Sequence, residues 1–438
     1  MADLSINFAG IQSPNPFWIG SGPPGNSAHQ CHRAFEAGWG GVVWKTIGEA
    51  IVNQSSRYSA LQLNGQRMVG FNNIELISDR SPEANFKEIR EVKDRWPDRV
   101  IIASLMVESR EQWHEFIKRS EDAGADGIEC NFGCPHGMCE RGMGSAVGQN
   151  PDVIKVIAEW CKEVAEIPVI IKLTPNITDI AQPGRAAAAG GADAISLINT
   201  VNSITQVNLD TFCPEPYVDG QSSHGGYCGA AVKPIALNMV ERIANDPDIN
   251  LPVSGIGGIN TWRDAAEFIA LGSTSVQVCT AVMQKGFRIV ADMAEGLSDY
   301  MDSKGMKSLE ELRGRALPNI QKWENLNLNY ARIASIDYEK CIGCNLCHIA
   351  CEDGAHQCID LVHPDTLGVD EGPGRLPGKS IPKVRDVDCV GCNLCSVVCP
   401  VDDCITMVEI DTGKDRMSWS EYQAAMAAGD MEPIPPHP

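Results

Sequence analysis

The chain has 438 residues, 43% of them apolar, so it is long enough for one large domain and one small one. Its formal net charge of −21 argues against nucleic acid as a partner, because a polyphosphate repels an acidic surface. The sequence has no run approaching the roughly 20 apolar residues that span a bilayer, and it does not open with a signal-peptide pattern. We therefore expect a cytoplasmic protein whose 18 cysteines are reduced thiols or metal ligands.

Up to about residue 285, short apolar runs alternate with helical stretches. In four segments a predicted helix ends at a glycine and a strand follows. They are AGWGGVVW (37–44), AGADGIEC (123–130), GGADAISL (190–197) and LGSTSVQV (271–278). The predicted strands are Phe17–Gly20, Val42–Thr46, Val100–Leu105, Gly127–Asn131, Pro168–Leu173, Ala194–Asn199, Val253–Gly257 and Ser275–Thr280. Eight such units predict an α/β fold, the (β/α)8 TIM barrel. A doubly wound sheet shows the same alternation but fits this length less well.

Two helix starts and two insertions agree with the barrel. Asn150 before Pro151 is typical of a helix N-terminus, and Thr261 with Asp264 resembles a capping box. Insertions at 47–80 and 201–230 follow the second and sixth predicted strands. Both insertions lie on the side of the barrel where such enzymes keep their active sites.

The chain is predicted to divide into a barrel at 1–300, a helical linker at 301–335, a small ferredoxin-like domain at 336–412 and a flexible tail at 413–438. The last quarter, 336–438, carries 7 lysine and arginine residues against 18 aspartate and glutamate residues. This acidity is either an ordinary solvated face or a docking surface for a redox partner with basic residues.

Two cysteine runs in the small domain repeat the spacing C-x2-C-x2-C-x3-C. They are Cys341, Cys344, Cys347 and Cys351, and Cys389, Cys392, Cys395 and Cys399. This spacing is typical of two [4Fe–4S] clusters in which the fourth cysteine of each run binds the other cluster. We therefore expect Cys399 to complete the first set and Cys351 to complete the second. Zinc or disulfides are the alternatives, but zinc sites use two cysteine pairs.

Two further cysteines, Cys358 and Cys404, lie close to these runs but outside the spacing. We interpret them as buried thiols without a role in binding the clusters.

Polar residues end or follow five predicted strands, at the common mouth of the barrel. They are Lys45 and Thr46, Asn131, Lys172, Asn199 and Thr200, and Thr280. After strand seven, Gly255, Gly257 and Gly258 leave backbone amides free, and with Cys279–Ala281 they predict a phosphate site. Ordinary turn glycines are the alternative interpretation.

A G-x-G-x-x-G pattern at Gly20, Gly22 and Gly25 follows the first strand and is typical of dinucleotide binding. We reject that interpretation because Pro23 and Pro24 lack the N–H groups that a phosphate needs.

The loop NFGCPHGMCERGMG, residues 131–144, places Cys134 three residues beyond the end of strand four. A desolvated thiol there can act as an acid or a base. A lone cysteine is more often a small hydrophobic residue, but the position in a glycine-rich loop at the barrel mouth favours a catalytic role.

Several segments together resemble the dihydropyrimidine dehydrogenases, and the barrel is similar to the dihydroorotate dehydrogenases. The segments are NIELIS (73–78), the 131–144 loop, IKLTPN (171–176), INTV (198–201), CGAAVKPIAL (228–237) and SGIGGI (254–259). The resemblance extends from about residue 5 to 412 and is to the pyrimidine-reducing subunit of a two-subunit, NAD-dependent enzyme. The clearest departure is Cys139, where the family usually has a small residue. A thiol is about the size of a serine side chain and can fit there, so we expect no loss of activity.

The resemblance implies which residues bind FMN and the pyrimidine. Ser21 and Gly22 would lie near the flavin, Lys45 and Thr46 beneath it, and Lys172 beside its N1/O2 edge. The remaining contacts to FMN would come from Gly257, Gly258, Cys279 and Thr280. The implied pyrimidine-binding residues are Asn73, Asn131, Asn199 and Thr200, since a side-chain amide offers both a donor and an acceptor to the ring.

The implied reaction is the reversible reduction of the 5,6 double bond of uracil or thymine in pyrimidine catabolism. Hydride would pass from FMN N5 to C6, and Cys134 would protonate C5. Electrons would arrive through the clusters from a separate FAD-containing subunit that oxidises NADH or NADPH, in a hetero-oligomer. Two other hypotheses stay open, a dihydroorotate dehydrogenase with a fused ferredoxin and a non-catalytic electron-transfer adaptor.

Overall fold

The protein is described by a computed structural model covering residues 2–52, 54–63, 66–135, 141–369, 373 and 378–433. It divides into two compact units, Met1–Asn319 and Ile320–Pro438. The boundary falls inside the predicted helical linker, 301–335. Most of that segment is not helical, because beyond Ser303 its described helices are single 3-10 turns at Leu309–Glu311, Leu317–Asn319 and Trp323–Asn325.

Eight parallel strands of the first unit close into a barrel. They are β1 Phe17–Ile19, β2 Gly41–Val43, β3 Val100–Leu105, β4 Gly127–Asn131, β5 Val169–Lys172, β6 Ala194–Leu197, β7 Val253–Ile256 and β8 Ser273–Val278. Each strand pairs with the next in the chain, and β8 pairs with β1. The predicted TIM barrel is confirmed, with strand ends within three residues of those expected.

Helices follow the strands and connect each to the next. They are α1 Ala28–Ala37, α2 Pro82–Arg95, α3 Arg110–Asp122, α4 Pro151–Lys162, α5 Ala181–Ala189, α6 Lys233–Ala244, α7 Trp262–Ala270 and α8 Ile289–Ser303, with short helices at Ser145–Gly148 and Thr280–Lys285. Both predicted helix starts are confirmed. Asn150 accepts a hydrogen bond from the Val153 amide, and Thr261 and Asp264 form a capping box.

The strands are apolar because a parallel sheet is covered on both faces. Every residue of β3, β4, β5 and β6 is buried, and Trp18, Trp39, Trp44 and Trp113 are among the largest side chains with almost no exposed surface. A few polar side chains are also buried on these strands, including Glu129, Ser196, Ser254 and Gln277. They form the floor of the site described below.

The two predicted insertions meet in one antiparallel sheet, which we call the outer sheet. Its strands are, in spatial order, Val201–Ser203, Gly225–Cys228, Gln66–Asn73 and Tyr58–Leu63. The second insertion adds two small hairpins, Gln206–Asn208 with Cys213–Glu215 and Tyr217–Val218 with Gln221–Ser222. A hairpin at Ile6–Phe8 and Ile11–Ser13 precedes β1. Segments more than 100 residues apart in sequence thus build one surface.

The second unit contains two antiparallel strand pairs, Ala331–Ile336 with Ile405–Ile410 and Ile359–Val362 with Ile381–Val384. Its helices are Leu346–Gly354, Leu394–Val397 and Trp419–Ala428, with a 3-10 turn at Pro364–Leu367. The helix Trp419–Ala428 starts in a capping box at Ser418 and buries Tyr422. The prediction of a flexible tail from residue 413 is therefore wrong for this helix. Across the described residues of both units, we find no helix with the length and apolar character needed to span a membrane.

The Thr261 capping box makes a measurable contribution to stability. Thr261 Oγ1 accepts from the Asp264 amide, and Asp264 accepts from the Thr261 amide at 2.9 Å. Thr261→Ala should lower the free energy of unfolding by about 1 kcal/mol, because the amide then loses its acceptor. Thr261→Ser keeps the acceptor and should stay near wild type in urea unfolding followed by tryptophan fluorescence. Equal losses for both variants would show that the hydroxyl is not the stabilising group.

Candidate active site

A cavity of about 1130 Å³ lies at the carboxyl ends of the barrel strands. Its walls come from the residues that follow the strands and from the outer sheet. All fourteen residues predicted to bind flavin or pyrimidine or to act in catalysis line it: Ser21, Gly22, Lys45, Thr46, Asn73, Asn131, Cys134, Lys172, Asn199, Thr200, Gly257, Gly258, Cys279 and Thr280. Gly255 does not line it, since it lies within β7, where a Cβ would meet Phe268 at 2.5 Å.

A chain of hydrogen bonds joins side chains that lie on or directly after five barrel strands. Thr46 Oγ1, after β2, lies 3.1 Å from Ser21 Oγ and 2.9 Å from Ser104 Oγ on β3. Asn131 Nδ2, at the end of β4, donates to Thr46 Oγ1 at 2.9 Å. Asn199 Nδ2, after β6, donates to Asn131 Oδ1 at 2.9 Å. Three of the polar residues predicted from strand ends, Thr46, Asn131 and Asn199, therefore belong to one connected network.

Asn73 reaches the cavity from the outer sheet. Its Nδ2 donates to the Gly226 carbonyl at 2.8 Å, and its Oδ1 accepts from the Glu75 amide at 3.2 Å. Thr200 packs against the same strand, because a Cβ at Gly226 would lie 2.1 Å from Thr200 Oγ1. The outer sheet thus brings Asn73 and Thr200 to one side of the cavity.

Lys45 is held by a carboxylate that sequence reasoning did not single out. Its Nζ donates to Glu75 Oε1 at 2.5 Å, and Arg57 Nη1 lies 3.0 Å from both oxygens of Glu75. Burial alone would raise the pKa of Glu75, but the hydrogen bonds and charges of Lys45 and Arg57 outweigh it and hold that pKa below its usual range. The Lys45 ammonium is consequently compensated by a carboxylate that stays ionised.

Lys172 is paired in the barrel interior. Its Nζ lies 3.3 Å from Glu129 Oε1, and the Glu129 side chain has no exposed surface. The other oxygen, Oε2, accepts from Ser196 Oγ at 2.8 Å and from Gln277 Nε2 at 3.1 Å. Glu129 Oε1 accepts no hydrogen bond from the described residues, so Lys172 is its compensating charge. This arrangement leaves the ammonium at the cavity floor, 4% exposed.

At one end of the cavity, glycines allow the backbone to lie directly against the cavity. Gly257 and Gly258 have φ of +129° and +74°, in the region that favours glycine. A Cβ at Gly22 would lie 2.6 Å from Cys279 Sγ, and one at Gly257 would lie 2.7 Å from Ala236 Cβ. Backbone amides are groups to which a phosphate binds, and two lysines suit the polar edge of a flavin ring. The donor set of the cavity fits FMN.

Cys134 lies in an apolar pocket at the edge of the cavity, 9% exposed, in a cluster with Ile77, Met106 and Met143. Its carbonyl accepts from the Ser145 amide at 2.9 Å, and a Cβ on Gly144 would lie 3.3 Å from Cys134 Cβ. The backbone at Gly144 and Ser145 therefore holds Cys134 in position. Residues 136–140 lie outside the described residues, and with them Cys139, so the expectation that a thiol fits there stays a prediction.

Two further thiols line the cavity, and one of them, Cys228, was not predicted. Burial raises the pKa of Cys279 to about 12, with a smaller contribution from Cys228, and burial also raises the pKa of Cys228. Both thiols are therefore neutral at pH 7. Other lining residues missed from the sequence include Tyr58, Phe71, Glu75, Tyr227 and Gln277. Most of these come from the outer sheet, whose strand pairing no short-range signal reveals.

The small unit brings the predicted cluster ligands together in two cavities. One, the first-run cavity, is lined by Cys341, Cys344, Cys347 and Cys399. The other, the second-run cavity, is lined by Cys389, Cys392, Cys395 and Cys351. Each is also lined by a cysteine outside the repeated spacing, Cys404 in the first and Cys358 in the second.

The Glu129–Lys172 pair should be the most sensitive buried interaction of the barrel. Glu129→Ala leaves a buried ammonium without its carboxylate and should lower the free energy of unfolding by about 3–5 kcal/mol. Ser196→Ala removes only one hydrogen bond to the same carboxylate and should cost about 1.5–3 kcal/mol. Urea unfolding of the two variants measures the difference. A loss for Glu129→Ala no larger than that for Ser196→Ala would mean that the ion pair is not the main compensation.

Comparison with known proteins agrees with this architecture. Residues 3–301 match the family described as dihydroorotate dehydrogenase, and residues 334–407 match the 4Fe-4S dicluster domain. The cofactors of these domains are FMN and two [4Fe–4S] clusters, which confirms the predicted cofactors. The dicluster match spans both cysteine runs.

Three relatives cover most of this chain. The NAD-dependent dihydropyrimidine dehydrogenase subunit PreA of Escherichia coli K12 is 46% identical over 82% of this chain and 87% of its own. The chloroplastic dihydropyrimidine dehydrogenase (NADP+) of Arabidopsis thaliana is 44% identical over 72% and 77%. The catalytic subunit of dihydroorotate dehydrogenase B (NAD+) of Pyrococcus abyssi is 36% identical over 72% and 99%. The chain therefore belongs to the dihydropyrimidine dehydrogenase family, built on the dihydroorotate dehydrogenase barrel, and is an oxidoreductase that acts on CH–CH groups.

Proposed function

We propose that this chain catalyses the reversible reduction of the 5,6 double bond of uracil or thymine, giving the 5,6-dihydropyrimidine. The proposal is supported by a single cavity that collects all fourteen predicted residues and by the two relatives named dihydropyrimidine dehydrogenases. Orotate is the competing substrate class, because a third relative is named a dihydroorotate dehydrogenase.

The pairing of the lysines favours an uncharged pyrimidine over orotate. Orotate differs from uracil by a carboxylate, which needs a cation or several hydrogen-bond donors. The two lysines lining the cavity already have carboxylate partners, Glu75 for Lys45 and Glu129 for Lys172. Arg57, near the cavity, is also paired with Glu75. A substrate carboxylate would have to compete with these pairs, whereas uracil and thymine would not.

The asparagines are the proposed pyrimidine-binding groups, together with Thr200. Asn131 Oδ1 accepts from Asn199 Nδ2 and from the Gly133 amide, and Asn131 Nδ2 donates to Thr46. This leaves one N–H of Asn131 for a ring carbonyl. Asn73 Nδ2 donates to the Gly226 carbonyl at 2.8 Å and has a long contact of 4.0 Å with Cys228 Sγ, which a ring carbonyl would replace. One amide from the barrel and one from the outer sheet are therefore proposed to meet the two carbonyl groups of a 2,4-dioxopyrimidine.

Lys45, Thr46, Lys172, Ser21 and the glycine turns are the proposed FMN-binding groups. FMN bound there would supply the hydride to C6 of the pyrimidine. Lys172 would offset negative charge at the N1/O2 edge of the ring, and its own charge is compensated by Glu129 behind it. The backbone at Gly22, Gly257 and Gly258, with Cys279 and Thr280, would hold the phosphate end.

Cys134 is the proposed proton donor to C5. Ile77, Met106 and Met143 pack with its side chain in an apolar cluster, which limits the access of water to the thiol, and a thiol is a group that can donate a proton. The hydride at C6 and the proton at C5 together reduce the double bond. The thiolate that remains regains its proton from solvent before the next turnover.

The electrons are proposed to come from outside the chain. Reduction of the double bond takes two electrons, and each cluster carries one at a time. The Escherichia coli relative is named a subunit, so a second subunit exists in that enzyme. We propose that here a separate FAD-containing flavoprotein oxidises NADH or NADPH and reduces the clusters. The acidic balance of 336–438 suits a partner with a basic docking surface.

The test is an anaerobic reoxidation experiment on the chain purified with its iron and flavin. After reduction with dithionite and removal of the excess, uracil should reoxidise the flavin and yield dihydrouracil. Orotate, added to a matched sample, should leave the flavin reduced, because the lysines that line the described part of the cavity are already paired with carboxylates. Reoxidation by orotate but not uracil would replace the proposal with the dihydroorotate dehydrogenase hypothesis, and reoxidation by neither would favour the adaptor hypothesis.

Removing the thiol of Cys134 tests its role separately. Cys134→Ala should reduce uracil turnover by about 10²–10⁴-fold, because the general acid is lost. FMN content and the rate of flavin reduction by dithionite should stay at their wild-type values. The measurement is uracil-dependent flavin reoxidation by stopped flow. Unchanged turnover in this variant would remove Cys134 from the mechanism.

A further inference from the structure

Cys358 lies beside a proposed cluster ligand although it falls outside the repeated spacing. Its Sγ is 3.5 Å from Cys351 Sγ, and its backbone amide donates to the same sulfur at 3.4 Å. The residue is 4% exposed and lines the second-run cavity. Its side chain also interacts with Cys389, which lines the same cavity. A thiol in this position is therefore within reach of two ligands of one cluster.

The chemistry of ligation sets the direction of the Cys351–Cys358 hydrogen bond. A cysteine that binds iron does so as a thiolate, which has no proton to donate. Once Cys351 is a ligand, the S–H of Cys358 must be the donor. Hydrogen bonds to the sulfurs around an iron–sulfur cluster withdraw negative charge from it, and they are among the factors that set its reduction potential. A donor here favours the reduced, more negative cluster.

We propose that Cys358 is a hydrogen-bond donor that raises the reduction potential of the cluster in the second-run cavity. It acts through Cys351 and does not bind iron, so it is a positioning residue of the electron pathway. This inference rests on the proposed ligand assignment, which gives Cys351 to that cavity. A tuned cluster would accept electrons from the partner more readily.

Cys404 provides a matched control on the other cluster. It is 2% exposed, lines the first-run cavity and directly precedes the strand Ile405–Ile410, as Cys358 precedes Ile359–Val362. Its Sγ lies 3.6 Å from the Asp337 carbonyl, to which it donates. Removing this thiol should leave the potential of the second-run cluster unchanged.

The experiment is an anaerobic redox titration of the full chain with both clusters, followed by EPR of the reduced clusters. Cys358→Ala should lower the reduction potential of the second-run cluster. At a fixed solution potential, the ratio of reduced to oxidised cluster should fall about tenfold, which corresponds to a shift of about 59 mV for one electron. Cys358→Ser keeps a donor and should stay near wild type. Cys404→Ala should not move this potential. Cys392→Ser replaces a proposed ligand and identifies the EPR signal of the second-run cluster.

Each outcome decides the proposal. An unchanged potential in Cys358→Ala, with iron and sulfide content intact, would overturn it. If the alanine variant loses its cluster, the Cys358→Ser variant decides. A cluster potential at the wild-type value in this variant supports the donor role. A tenfold lower ratio of reduced to oxidised cluster contradicts it. Uracil-dependent reoxidation of chemically reduced flavin does not use the clusters. It tests the proposed function in the same samples, so the two proposals fail independently.

Discussion

The carboxylate of Glu129 lies inside the barrel with no exposed surface, and the site above it depends on how that charge is compensated. Ser196, Gln277 and Lys172 approach it from three other strands, so β4, β5, β6 and β8 are connected through one side chain. A buried charge is costly unless it is paired and hydrogen-bonded. The position of the Lys172 ammonium at the cavity floor follows from this requirement.

Under the proposed function, the ion pairs of the cavity would also let one barrel fold distinguish related substrates. The family includes proteins named for dihydroorotate and proteins named for dihydropyrimidines. Here Glu75 forms ion pairs with both Lys45 and Arg57, so neither cation is left unpaired for a substrate carboxylate. A cavity of the same shape with a neutral residue in place of Glu75 would present those cations to the ligand. Substrate charge can thus be selected by a residue that need not touch the substrate.

The barrel was predictable because its signals are local. Glycine ends a helix, an apolar run follows, and a polar residue ends that run, as in Ala194–Leu197 followed by Asn199. The grouping of the cysteines around two cavities was equally predictable, since their spacing lies within two short runs. The outer sheet was not predictable, because Gly225–Cys228 pairs with Gln66–Asn73 across a separation that no short motif encodes. Glu75, Tyr58 and Tyr227 were missed for this reason. The contact of Cys358 with Cys351 was missed because the chain reverses direction between the two residues.

Each cysteine cavity of the small unit takes three thiols from one run and one from the other. The two runs are therefore interlocked, and neither half encloses a complete set of four sulfurs. A fragment holding only Cys341–Cys351 would have three sulfurs for one centre and a lone fourth for another. With the proposed ligand assignment, assembly of either cluster would wait until both halves had been synthesised, and loss of iron from one cavity would loosen a segment that the other needs. The small unit would then gain and lose its clusters as a single cooperative event.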